Sequence, residues 1–243
     1  MTRLYWNGFA ALGILLGSWF NMSSCSINTD PYFSQQLLEP FDTLILNSVF
    51  NVRLLQGDHY GVEISGAQEV AESIMFHIEN KTLLVDNNDG PLWKHPNLEP
   101  PTILITFIKL KRIKAEETCN ISSENAITID TFGLTLGSKL NIAELKLNCQ
   151  LFYYWNSSPV GGDLTLSGHA DLIRLYNGSL LSIDASQLVT HDALIANGSQ
   201  LDIHVYADQH LYYTITGTGN IYLTGNPAVI DAGPITSSGK LIQ

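Results

Sequence analysis

From Asp42 onward, apolar and polar residues alternate in short runs closed by glycine. "DTLILNSVFNVRLLQGD" alternates at Leu44 and Leu46, then at Phe50, Val52 and Leu54, and stops at Gly57. "YGVEISG" and "KTLLVDNNDG" follow, each closed by Gly. A period of two with one apolar face predicts half-buried strands. One stretch breaks the pattern: in "AQEVAESIMF", Ala67–Phe76, Val70 and Ile74 share a helical face with Ala71 and Met75, which predicts a helix. The run "NNDGPLWKHPNLEPP" holds four prolines and a glycine and predicts a loop, after which "TILITF" resumes the strand pattern.

Further on, the same wording recurs. "LTLGSKLNI", "LKLNCQLF", "LTLSGHADLIRL", "LIANGSQLDIHV", "YTITGTGNIYL" and "ITSSGKLI" each place a small polar or glycine turn between two alternating runs. Turn spacings cluster near one value: Cys149 to Gly168, Gly178 to Gly198, Gly198 to Gly217 and Gly217 to Gly239. Gly168 to Gly178 is about half of it. Units of roughly 20 residues that cannot bury their own apolar face must stack on their neighbours. The expected fold is therefore all-β: a right-handed parallel β-helix, or β-solenoid, of short strands in roughly 20-residue rungs. A β-sandwich is the rival architecture, but its turns lack such repetition. "GTGNIYLTGNP" then reads as a late rung with Ile221 and Leu223 inward, its Gly and Asn at sharp corners and Pro227 where regular pairing ends.

The N-terminus reads differently. Arg3 precedes the apolar run "FAALGILLGSWF" and then "NMSSC", the layout of a secretory signal. The run is short for a membrane span, which takes about 20 apolar residues. Met22-Ser23-Ser24-Cys25 resembles a bacterial lipobox, with Met in place of the usual Leu, and the resemblance implies that Cys25 is acylated. A plain signal peptide with an incidental Cys25 is the alternative. The expected organisation is a lipoprotein signal over 1–24, a polar tether over 25–40 and a solenoid over 41–243.

Composition narrows the function classes. The chain is 45% hydrophobic, only 14% charged, and carries a net charge of −11. That balance argues against a nucleic-acid partner, which needs clustered cations, and disfavours direct attraction to an anionic membrane. The basic cluster Lys109, Lys111, Arg112 and Lys114 alternates with Leu110 and Ile113 and reads as the solvent side of a strand.

Candidate chemistry is sparse. Cys119 and Cys149 each follow a turn-like polar residue and either pair as a disulfide or stand as two buried thiols. Outward pairs of acid and imidazole occur at Asp202 and His204, at His191 and Asp192, and at His169 and Asp171. A metal or acid–base site would need three such groups to converge, and no sequence motif for a metal, phosphate or nucleophile is present, so no metal or cofactor is expected. "LFYYWNSS" is the aromatic concentration: Tyr153 and Trp155 fall on one strand face, Phe152 and Tyr154 on the other. Either pair, if exposed, could stack on sugar rings or anchor a protein; Phe152, Tyr153, Tyr154 and Trp155 are the candidate contact surface. Asn120, Asn156, Asn177 and Asn197 begin glycosylation-type triplets but read as corner residues.

With these motifs in place, residues from about Phe41 to Gln243 resemble the bacterial head GIN domain, or auto-transporter adhesin, family. The opening is carried by "FNVRLLQGD", "VEISG" and "KTLLV", and the turns by Ser167-Gly168, Gly198-Ser199, Gly137-Ser138 and Ser238-Gly239. The end is carried by "GTGNIYLTGNP" and "SSGKL". The resemblance implies an exported, often lipid-anchored parallel β-helix without a catalytic set. It points to an adhesin-like or structural module at the bacterial cell envelope, held in the outer membrane by its lipid, with a glycan or protein ligand. Two alternatives stand: a polysaccharide lyase or hydrolase using carboxylates in a shallow groove, and a module that homo-oligomerises through an open solenoid end.

Overall fold

The computed structural model describes residues 31–88, 98–156 and 159–243. The signal segment, Cys25 and most of the proline-rich loop lie outside them. The chain forms, in order, β1 (Pro31–Leu37), β2 (Thr43–Leu46), β3 (Phe50–Gln56), β4 (Gly61–Ala67), α1 (Gln68–Ala71), β5 (Ile74–Glu79) and β6 (Thr82–Asn87). Then come β7 (Thr102–Phe107), β8 (Arg112–Ala115), β9 (Cys119–Ser123) and β10 (Ile127–Leu136). The long strands β11 (Asn141–Asn156), β12 (Gly161–Asn177) and β13 (Leu180–Asn197) follow. The last rungs use β14 (Ile203–Tyr206), β15 (His210–Ile215), β16 (Ile221–Thr224), β17 (Val229–Ile235) and β18 (Leu241–Ile242).

Parallel pairing stacks these strands into a β-solenoid, and the register fixes the core. On one face, Leu83, Leu44, Ile113, Leu134, Tyr154, Leu175, Ile195 and Tyr213 lie one above another. On a second, Ile103, Val52, Ile121, Ala143, Leu164, Ile183, Ile203 and Ile221 do the same. A third row, Ile129, Cys149, Ala170 and Thr190, joins them. The partners Ile129, Cys149, Ala170 and Thr190 also show the rung length, 20 or 21 residues apart. Every second side chain points into the coil, so nearly all these columns are buried and together form one continuous core. β11, β12 and β13 stay paired around the corners, so the middle rungs hold long bent strands where the sequence suggested two short ones per unit.

The corners hold a finding of their own. Asn156, Asn177 and Asn197 stack in register and are buried. Asn177 donates from Nδ2 to the Leu181 carbonyl (2.8 Å) and accepts the Ser179 N–H (3.3 Å). Asn197 likewise donates to the Leu201 carbonyl (3.1 Å) and accepts the Ser199 N–H (3.0 Å). These corner asparagines do not adopt a positive φ. Among described non-glycine residues only Asn80 and Lys81 have positive φ. Asn177 and Asn197 hold the corner by replacing backbone partners that the bend removes.

Two expectations are corrected, and the open alternative for the cysteines is decided. Only Gln68–Ala71 of the expected helix is helical. Ile74, Phe76 and Ile78 also alternate, and they pair antiparallel with β6 through a two-residue turn at Asn80 and Lys81, so cross-strand pairing outweighs the helical period. Part of the expected tether is β1, which pairs antiparallel with β4. Cys119 and Cys149 are free and buried. They sit on different faces, Cys119 beside Phe50 and Cys149 between Ile129 and Ala170. Burial pushes both thiols up to about 12, and the Cys119 thiol donates to the Ser48 carbonyl.

Candidate contact surface

The final third of β11 is set by alternation within a fixed register. Phe152 packs between Phe132 and Ile173, and Tyr154 between Leu134 and Leu175. Both side chains are buried, which removes them from the expected contact surface. The Phe132 and Phe152 rings stack at 6.2 Å. Tyr153 and Trp155 necessarily point outward, and Trp155 is 57% exposed.

Stacking extends this pair into a surface. In one outward row Arg112, Gly133, Tyr153, Arg174, Leu194, Tyr212 and Asp231 follow one another; in the next, Trp155, Tyr176, Ala196 and Thr214 do. Tyr153 lies over Gly133, where a Cβ would come within 2.2 Å of its ring, and its hydroxyl accepts from Arg112 Nε (3.2 Å). Tyr212 lies the opposite way, over Gly233, where a Cβ would meet its hydroxyl at 2.4 Å. The two tyrosines thus lean apart toward opposite ends of the solenoid. Between them opens a groove of ≈ 480 Å³ lined by Arg174, Leu194, Ala196 and Thr214, with Trp155 and Tyr176 (ring centroids 6.4 Å apart) along it. Outward aromatic rings beside a guanidinium are suited to stacking on flat apolar faces while their polar edges take hydroxyl groups. Arg174, Tyr176 and Tyr212 were missed in the sequence, although adding one rung to Tyr153 and Trp155 leads to the first two.

The other candidate residues fall elsewhere. His204 stacks flat on Tyr222 (4.6 Å, 7°), and Asp202 accepts the Asn220 N–H (2.7 Å); they form no joint site. The basic cluster is solvated as expected: Lys111 pairs with Asp42 (2.8 Å), Lys114 with Glu116, and Leu110 and Ile113 are buried. The Lys111 ammonium holds the Asp42 carboxyl below its usual range. On the third face, His169 and Asp171 meet His191 from the next rung, with donor atoms all within 4.8 Å. Isolated pairs in the sequence thus become one group through stacking. A second groove, of ≈ 620 Å³, runs beside it, lined by Lys109, Lys111, Asp130, Gln150, His169 and Asp171 among others.

The family model described as "Putative auto-transporter adhesin, head GIN domain" matches residues 40–227. The chain belongs to this family. Its head GIN domain is similar in structure to a putative adhesin from Bacteroides fragilis NCTC 9343: 20% identity, TM-score 0.78, covering 88% of this chain and 97% of that one. It is also similar to a putative adhesin from Parabacteroides distasonis ATCC 8503: 15% identity, TM-score 0.63, covering 88% and 97%. A putative lipid binding protein from the same Parabacteroides strain gives 13% identity and TM-score 0.62, covering 89% and 98%. No curated protein matches the chain. At these identities the structural neighbours share the β-solenoid, and the head GIN domain's contact residues are a matter for its own surface.

Proposed function

We propose that this head GIN domain is an exported, lipid-anchored, non-catalytic binding module of the bacterial cell envelope. It takes carbohydrate on the shelf formed by Tyr153, Trp155, Arg174, Tyr176 and Tyr212. The observation that carries the reading is the shelf itself: outward aromatic rings on β11, β12 and β15, which a solenoid holds at fixed spacing with little ordering needed on binding. The family description and the two structural neighbours described as putative adhesins support a binding role. The lipobox-like Met22–Cys25 supports the anchor. The residues lining the aromatic groove include no carboxylate, whereas glycoside hydrolysis generally needs two. The test is a screen of envelope polysaccharides against the purified chain and its Trp155→Ala and Tyr176→Ala variants. Each variant should fold normally and lose about ten-fold or more in affinity, as removal of a central aromatic contact does. Unchanged binding by both variants contradicts the assignment.

One observation favours a second reading. Register places Asp130, Gln150 and Asp171 on successive rungs of one outward row, and Lys109 and Lys111 line the same groove. Carboxylates and lysines on a solenoid face are what a polysaccharide lyase or hydrolase uses. Release of reducing ends or unsaturated sugars from acidic polysaccharides, lost in Asp130→Asn and Asp171→Asn, would establish this reading instead.

A further inference from the structure

We infer that His169, Asp171 and His191 form a binding site for a divalent first-row transition ion, with Zn2+ as the natural occupant. The residues reach one another by two elementary rules. His169 and Asp171 are two apart on β12 and so share its outward face. The pairs Ala170–Thr190 and Leu172–Asp192 place His191 of β13 directly opposite Asp171, one rung away.

The donor geometry suits a metal. His169 Nε2 and Asp171 Oδ1 are 3.2 Å apart, close to the roughly 3.3 Å between neighbouring ligands of a tetrahedral ion at about 2.0–2.1 Å. A metal between them takes the place of the imidazole proton. The three donor atoms all lie within 4.8 Å of one another, and the His169 and His191 rings meet edge-on with centroids 5.5 Å apart. These half-exposed side chains close that gap by rotation about their own torsions.

A fourth residue distinguishes the cluster from a chance surface pair. Asp208, on the following rung, sits 2.9 Å from His191 Nδ1. A carboxylate only accepts, so Nδ1 carries a proton, and in the neutral imidazole Nε2 is then the nitrogen open to a metal. Metal-bound histidines are generally oriented by such an outer carboxylate. Two imidazoles and one carboxylate form a borderline ligand set that suits Zn2+ and disfavours Ca2+ or Mg2+, which take oxygen ligands. His169 and Asp171 also line the groove that holds Lys109 and Lys111, so the ion would sit at that groove's edge.

The experiment is a Zn2+ titration of the full chain, without a polyhistidine tag, in competition with a chromophoric chelator. The result expected is one ion per chain. His169→Ala, Asp171→Asn and His191→Ala should each weaken affinity at least ten-fold, and Asp208→Asn about ten-fold. His210→Ala, which removes the neighbouring imidazole paired with Asp231 at 3.0 Å, should leave it unchanged. Co2+ in the same site should give the intense visible absorption of tetrahedral coordination in the wild type and lose it in His191→Ala. Circular dichroism of each variant separates loss of metal from loss of fold. No saturable Zn2+ binding by the wild type, or equal losses in His210→Ala and His191→Ala, overturns the proposal.

Discussion

Ile203 and His204 are neighbours on β14 with opposite environments. Ile203 is fully buried between Ile183 and Ile221, while His204 lies outside on Tyr222. Ile203→Asp should therefore cost several kcal/mol, about the penalty for an unpaired buried carboxylate, and His204→Ala about 0.5 kcal/mol or less. Equal thermal melts would mean that the faces are wrongly assigned. The buried thiols give a second expectation. Their ordinary value is 9.0 and burial raises both to about 12, so between these values the unfolded chain has lost protons that the folded chain keeps. Stability from this source is complete below pH 9 and falls as pH rises from there toward 12. Cys119 and Cys149 should resist alkylation in the native protein at pH 8 and react fully in denaturant. Inward and outward positions such as these were legible in the sequence because alternation reports side-chain direction directly. The role of Asn177 and Asn197 was not, because a buried side-chain bridge and a left-handed corner use the same residue type.

At the scale of the strand and its turn, glycine marks where rungs come closest. Gly162 has φ +115, and a Cβ there would lie 1.8 Å from the Asn141 carbonyl oxygen of the preceding rung. At Gly178 a Cβ would meet nothing nearer than the Tyr176 ring at 3.4 Å. Gly162→Ala should lower stability by about 1–3 kcal/mol or more through strain and clash, while Gly178→Ala should be neutral or slightly stabilising, by about 0.4–1 kcal/mol. Thermal unfolding of the pair checks this; equal losses would show that rung spacing is looser than described. The rung period was readable because Gly and Asn recur at each turn. The β5–β6 hairpin was not, since "SIMF" satisfies both a helical and a strand period, and only its partner "TLLV" decides between them. The aromatic shelf was half-legible for the same reason. Tyr153 and Trp155 stand together in the sequence, whereas Tyr176 and Tyr212 join them only through register.

Across the whole molecule the two ends differ. At the N-terminal end both main faces finish in antiparallel strands, β5 on β6 and β1–β4 on β7, which cover the first rung. At the other end β17 and β18 pair on one side only among the described residues, and Val229, Ile230 and Ile235 are exposed. An anchor at Cys25 would join the capped end to the membrane and direct the shelf and the open end away from it. Cys25→Ala should then move the protein from the membrane fraction to the soluble fraction with its circular dichroism unchanged; retention in membranes contradicts the anchor. The proposed carbohydrate shelf is tested most directly by locating bound ligand on the surface. An isotopically labelled chain titrated with an envelope oligosaccharide should show its largest amide shifts at Tyr153–Asn156, Arg174–Tyr176, Leu194–Ala196 and Tyr212–Thr214. Shifts confined to the groove around Asp130 and His169, or to the open end at β17 and β18, with the aromatic rungs silent, would contradict it.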